Sequence, residues 1–122
     1  MIRGIRGATT VANNTKETIL VETDRLLREL IRKNDLRPDV VSFVQFTMTS
    51  DLDAVYPAVA LRSIEGWSFV PMMCLPELNI RDSLQMCIRV MFLVETDKLQ
   101  KDICHIYLNE ASTLRPDLVK KR

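Results

Sequence analysis

Three arginines stand in apolar, strand-like surroundings. Arg3 and Arg6 lie in Met1-Ile2-Arg3-Gly4-Ile5-Arg6-Gly7-Ala8-Thr9-Thr10, and Arg89 lies in Cys87-Ile88-Arg89-Val90-Met91-Phe92-Leu93-Val94. Arginine is rarely buried unless something pairs with it. Its planar fork matches a carboxylate and holds it bidentately. Conventional catalytic residues are scarce: the single histidine is His105, and no glycine-rich phosphate loop is present. An enzyme built from this set works by holding an anion rather than by a nucleophilic triad.

The remaining polar candidates each have an ordinary structural explanation beside a chemical one. Glu77 precedes Arg81 by four residues, the spacing of a plain surface pair. Tyr107 sits in Cys104-His105-Ile106-Tyr107-Leu108, where strand packing with a satisfied hydroxyl is the simplest reading. His105 lies two residues before Tyr107, so a regular strand places both on one side; its expected role is structural. Arg3 is also expected to be structural. Cys74, Cys87 and Cys104 are an odd number without metal-ligand spacing, and free cysteine most often serves as a small buried hydrophobe.

These side chains need elements to hold them. The first ten residues read as a strand with a glycine bend, Gly4 and Gly7 permitting close backbone approach. A helix then opens at Asn13-Asn14-Thr15-Lys16-Glu17, with Asn14 and Glu17 spaced as a capping box. Ile19, Leu20, Thr23, Leu26, Leu27, Leu30 and Ile31 recur at intervals of three and four, one apolar stripe. Asn34 and Pro38 end it. Val40 to Met48 is β-branched and aromatic, a strand. Ser50 to Asp53 is a polar break, and a short helix is predicted from about Pro57 to Ile64, with proline near its first turn. Trp67 to Met72 reads as a strand limited by Pro71. Ile88 to Glu95 is the clearest strand, apolar on both faces except at Arg89, and therefore central. Thr96 to Asp102 is a turn or short helical segment, Cys104 to Leu108 a last strand, and Asn109 to Leu114 a turn or short helix.

The order β-α-β-α-β-β-β predicts an α+β fold, a mixed sheet with helices on one face. Too few helices remain to cover the other face, so sheet-to-sheet packing between subunits is expected. The 122 residues suit one domain, 1–122. Seventeen basic residues face 16 acidic ones, without the basic stripe of a nucleic-acid binder. The closing Lys120-Lys121-Arg122 reads as a solvated tail. No apolar run reaches the ~18 residues of a membrane span, and the N-terminus lacks the apolar region of a signal peptide. With the odd cysteine count, these features point to a cytoplasmic location.

Five segments occur in one order: Ile2 to Thr10, Asp53-Ala54-Val55-Tyr56-Pro57-Ala58, Cys87-Ile88-Arg89-Val90, His105-Ile106-Tyr107-Leu108 and Leu114-Arg115-Pro116-Asp117-Leu118. Together the chain closely resembles the trimeric bacterial chorismate mutase family, the non-helical class of that enzyme, from residue 2 to about residue 118. The resemblance implies a mixed β-sheet with helices on its outer face, three subunits forming a pseudo-α/β-barrel trimer, and active sites in clefts between neighbouring subunits. It implies an isomerase of the shikimate pathway to aromatic amino acids, converting chorismate to prephenate. That Claisen rearrangement is pericyclic and needs no cofactor, metal or proton transfer. The protein restrains the substrate and stabilises charge as the ether bond breaks.

The resemblance also implies roles. Arg89 donates to the ether oxygen and a carboxylate, Arg6 binds a carboxylate, and Tyr107 donates its hydroxyl to one. Glu77 accepts from the ring hydroxyl, and Cys74 contacts the same hydroxyl. Met73, Cys74, Leu75, Pro76 and Glu77 form one wall. Tyr56 and Arg62 come from the neighbouring subunit, and Leu114 and Arg115 close over the cleft. The chain differs from the family's common pattern at Tyr56 (often Phe), at Val59 (charged in some relatives), at Met73 (smaller and polar) and at Arg81-Asp82 (a glycine-containing turn). A same-shaped trimer acting as a small-anion-binding regulator or an imine hydrolase is the alternative, since fold by itself does not separate these.

Overall fold

The structure, a computed structural model, describes residues 1–115. The chain runs β1 (Ile2–Thr10), α1 (Lys16–Asn34), β2 (Val41–Met48), α2 (Ala58–Arg62), β3 (Met72–Pro76), β4 (Cys87–Glu95) and β5 (Ile106–Tyr107). Short 3₁₀ turns occupy Pro38–Val40, Gln100–Asp102 and Asn109–Thr113. The strands form one five-stranded sheet in the order β3-β2-β4-β1-β5. β4 runs antiparallel to both β1 and β2, while β5 is parallel to β1 and β3 is parallel to β2. The expected mixed sheet and element order are therefore present, with the Arg89 strand at the centre.

Alternation along β4 separates the two faces. Ile88, Val90, Phe92 and Val94 are buried, while Arg89, Met91 and Leu93 are half-buried. Val90, Phe92 and Val94 join Leu26, Leu27 and Leu30 of α1 and Leu61 of α2 in the core, and Ile88 packs with Ile19 of α1 in a smaller cluster. Gly7 lets α1 approach β1: a Cβ there would meet Leu30 Cδ1 at 2.7 Å, Leu26 Cδ1 at 3.1 Å and the Ile106 carbonyl at 3.2 Å. The opposite face carries Arg6, Arg89, Met91, Gln45 and Thr47 and is covered by no helix among the described residues.

Three sequence expectations need correction. Thr15, not Asn14, caps α1, its Oγ1 accepting from the Thr18 N–H at 3.1 Å. Asn14 is drawn elsewhere: its Oδ1 accepts from the Asp53 and Ala54 N–H groups, and its Nδ2 donates to Asp53 Oδ1 at 2.8 Å. A polar loop close in space outcompetes the local cap.

The expected strand at Trp67 to Met72 also lies elsewhere. Trp67 and Val70 sit in consecutive turns, and the strand begins at Met72. Trp67 has left the sheet for a core position, meeting Phe92 edge-on at 5.9 Å. Pro71 cannot donate, but its carbonyl accepts from the Val44 N–H at 2.9 Å and starts the parallel pairing of β3 with β2. Finally, the last strand spans Ile106–Tyr107 only, so the alternation that would set His105 beside Tyr107 does not reach His105. The tail Lys120-Lys121-Arg122 and the segment Pro116-Asp117-Leu118 lie outside the described residues.

Candidate functional site

A cleft of about 310 Å³ opens on the helix-free face of the sheet. Its charged and hydroxyl-bearing lining is Arg6, Thr47, Glu77, Arg89, Tyr107 and Arg115. Each comes from a different part of the chain, and the register explains why they meet. In the β1–β4 ladder Ala8 faces Arg89 and Arg6 faces Met91. In the β2–β4 ladder Thr47 faces Arg89 and Gln45 faces Met91. In the β1–β5 pair Ala8 faces Tyr107. Residues directly opposite on adjacent strands share a face, so Arg6, Arg89, Thr47 and Tyr107 converge around the small Ala8.

Arg89 is the centre of this group. Its Nε lies 3.2 Å from Glu77 Oε1, and the two side chains are 39% and 20% exposed. Nε is buried and makes no aligned hydrogen bond, so the contact is an ion pair without the geometry of a closed fork. Thr47 Oγ1 donates to the same Glu77 Oε1 at 2.6 Å. The Glu77 N–H donates to the Met48 carbonyl at 3.0 Å, which anchors the residue just past β3. Glu77 is thus drawn to Thr47 and Arg89, not to Arg81 as the sequence spacing suggests. Tertiary approach has overridden the local pair.

The other end of the cleft is built by the C-terminal turn. Asn109 adopts a left-handed backbone, φ 55°, which asparagine tolerates better than most residues. Its Nδ2 donates to the Thr10 carbonyl at 2.8 Å. The Glu110 N–H donates to Thr10 Oγ1 at 3.2 Å. These bonds fasten the turn to β1. Tyr107, Ala8, Cys87 and Ala111 then pack together, with Leu114 against them. Tyr107 is 5% exposed, its ring buried in that cluster at the cleft wall.

Two titrating groups border the site. Burial pushes the Cys87 thiol from 9.0 up to about 11; Arg89 pulls it down and Glu77 raises it, but both act less strongly than burial. Cys87 is therefore a neutral packing group at physiological pH. His105 is held below its usual range, first by burial and then by the positive charges of Arg6 and Arg115. Its Nδ1 accepts from the Arg6 backbone N–H at 3.0 Å. An acceptor at Nδ1 requires the neutral ring, so the hydrogen bond and the lowered pKa agree. His105 supports the backbone of Arg6 and does not line the cleft.

Of the residues expected at the site, the cleft brings together Arg6, Glu77, Arg89, Tyr107, Leu114 and Arg115. Tyr56, Arg62, Met73, Cys74, Leu75 and Pro76 are absent from its lining in this chain. Cys74 faces Phe46 in the β2–β3 register and packs against the helix-side core, on the opposite face from Met73 and Leu75. Cys74 is half-buried there. Met73 is 60% exposed on edge strand β3, and Tyr56 is 69% exposed. Arg3 is also away from the cleft, donating through Nε to the Lys98 carbonyl at 3.0 Å. Sequence reading missed Thr47 and Gln45. Their signal is the alternation of β2, where the polar Gln45 and Thr47 interleave with the apolar Val44, Phe46 and Met48.

A larger cleft of about 630 Å³ lies between α1 and the loop before β4. Its lining includes Glu22 and Glu110 but, among the described residues, no arginine, so it disfavours an anion. The 310 Å³ cleft, with Arg6, Arg89 and Arg115 against Glu77, attracts one.

The chain is similar to known proteins over nearly its whole length. A family model described as chorismate mutase type I matches residues 2–118. The chorismate mutase AroH of Bacillus subtilis (strain 168) is 48% identical over 118 residues, covering 97% of this chain and 93% of that protein. The AroH of Thermus thermophilus is 42% identical, covering 97% of each. The solved structure of a chorismate mutase from Clostridium thermocellum is 49% identical, covers 91% of this chain and 98% of its own, and superposes with a TM-score of 0.88. A full-length family match, relatives at this identity and a shared fold lead to one conclusion: the chain belongs to the type I chorismate mutase family.

Proposed function

We infer that this protein is a chorismate mutase, an isomerase that rearranges chorismate to prephenate for aromatic amino acid biosynthesis. The observation that carries the reading is the convergence of Arg6, Arg89 and Tyr107 with Glu77 in one cleft, in a chain of that family. Chorismate carries two carboxylates, an enol ether and a ring hydroxyl. Arginines suit the carboxylates. The Arg89 guanidinium suits the ether oxygen, where negative charge grows as the C–O bond breaks. A donor fixed before the reaction stabilises that charge without reorganisation cost. Glu77 suits the ring hydroxyl and the partly positive ring. Tyr107 and Arg6 hold the carboxylates so that the two reacting carbons stay close, which supplies the orientational part of the rate.

In this reading three copies pack their helix-free sheet faces together, and each cleft is completed by a neighbour. The exposure of Tyr56 and Arg62 on their own chain, away from its cleft, supports their use by an adjacent copy. Leu114 and Arg115 form the closing edge. No helix among the described residues is long and apolar enough to cross a membrane, in keeping with a cytoplasmic enzyme. The same-fold regulator and imine-hydrolase alternatives have no support from the family match or from the relatives named above, which are chorismate mutases.

The test is an assay of the purified chain with chorismate, with and without chelator and with no cofactor added. Loss of chorismate absorbance with stoichiometric prephenate is expected in both conditions. Binding of chorismate without turnover would favour the regulator, and hydrolysis of an imine substrate in place of rearrangement would favour the hydrolase.

A further inference from the structure

A carboxylate next to a guanidinium ordinarily closes into a two-bond fork. Glu77 and Arg89 do not: their nearest atoms are 3.2 Å apart, and Arg89 Nε stays buried without an aligned hydrogen bond. The oxygen that Nε approaches, Glu77 Oε1, is already taken by the Thr47 hydroxyl at 2.6 Å. That is the length of a strong hydrogen bond to an ionised oxygen. Thr47 is placed for this task by the sheet. It faces Arg89 across the β2–β4 ladder and Leu75 across the β2–β3 ladder. Its hydroxyl therefore stands between the strand that carries the arginine and the strand that leads to the glutamate. Glu77 is pinned from a second side, its N–H bonded to the carbonyl of Met48, the residue after Thr47.

We propose that Thr47 is a positioning residue that holds the Glu77 carboxylate off the Arg89 fork, so that the guanidinium remains open to the cleft. Two opposite charges in one small site attract each other whether or not substrate is present. If the pair closes, the donor for the developing negative charge is spent on the protein's own carboxylate, and the acceptor for the ring hydroxyl is spent as well. The Thr47 hydroxyl prevents this by occupying Oε1, which sets the plane of the carboxylate and the direction of Oε2. The inference rests on the chorismate mutase reading of this cleft and adds a residue that acts through Glu77 and Arg89.

The experiment measures kcat, KM and thermal stability for Thr47→Val and Thr47→Ser, each alone and in a Glu77→Gln background. Thr47→Val keeps the shape and removes the donor. It is expected to lower kcat roughly ten- to hundredfold, the range for a lost hydrogen bond to a charged group, with a smaller change in KM and an unfolding temperature near that of the parent. Thr47→Ser restores the hydroxyl and is expected to restore most of kcat. In the Glu77→Gln background the amide no longer closes on Arg89, and Thr47→Val is expected to cost no more than about twofold, the ordinary error of additivity. If Thr47→Val does not assemble, Thr47→Ala makes the same comparison. The proposal is overturned if the valine variant keeps parental kcat, if serine is as poor as valine, or if the valine penalty is undiminished beside Glu77→Gln. Parental turnover by Glu77→Gln alone would instead overturn the reading of the cleft, and this proposal with it.

Discussion

Arg89 concentrates the functional argument into one side chain. It is an arginine on the central strand, opposite Ala8 and Thr47 and paired with Glu77. Lysine keeps the charge but loses the planar fork. Arg89→Lys is expected to lower kcat by roughly 10²–10³, the cost of removing one preorganised donor to a developing oxyanion, with little change in unfolding temperature. A folded Arg89→Lys protein with near-normal turnover would remove Arg89 from the ether oxygen. His105 makes the opposite prediction. A pericyclic step needs no general acid or base, and this ring accepts from the Arg6 N–H while staying out of the cleft. His105→Asn is expected to retain kcat/KM within about tenfold, below the ~10²–10⁴ typical of a general acid or base. Its effect belongs to stability. The folded-state pKa lies below the ordinary 6.5, so the unfolded chain takes up the proton first as pH falls. Stability is therefore full above about 6.5 and declines as pH drops below it through the folded-state value. Denaturation curves across that range are expected to show this decline in the parent and to lose it in His105→Asn.

At the scale of elements, the close packing of α1 on β1 sets the position of Arg6. Gly7 follows Arg6 and faces Leu26 and Leu30, both fully buried. The added methyl of alanine would sit 2.7 Å from Leu30 Cδ1 and 3.2 Å from the Ile106 carbonyl. The leucine tip can shift, but the carbonyl belongs to the β1–β5 pairing that carries Tyr107. Gly7→Ala is expected to cost about 1–3 kcal/mol of stability, as overpacking does, measured by denaturant titration. It is also expected to lower activity, since the strained pairing carries Arg6 on one strand and Tyr107 on the other. Native activity together with native stability would show that α1 can move back without disturbing the cleft.

At the scale of the whole molecule, one face of the sheet has no helical cover among the described residues. Met91 and Leu93 of the central strand are half-buried there, and the edge strand adds Met73 at 60% and Leu75 at 38% exposure. Apolar side chains exposed together favour burial against another surface. A homotrimer is expected by sedimentation at assay concentration, with activity falling on dilution below the assembly range. A fully active monomer would contradict both the trimer and the sharing of Tyr56 and Arg62 between subunits.

The order of elements, the central place of the Arg89 strand and the α1 stripe could all be read from the chain, because each follows from the period of apolar residues over consecutive positions. Arg6, Arg89 and Tyr107 were legible as a set through family-like segments rather than through chemistry, since nothing local ties residues so far apart. What the tertiary structure decided is where competing partners settle. Asn14 leaves the helix cap for the Asp53–Ala54 backbone, Trp67 leaves the sheet for Phe92, Glu77 leaves Arg81 for Thr47 and Arg89, and Cys74 turns toward the core. For Asn14 and Glu77 a local preference worth about a kilocalorie yields to a contact made by residues distant in sequence. Sheet register creates those contacts, and a sequence lists register only after the strands have found one another.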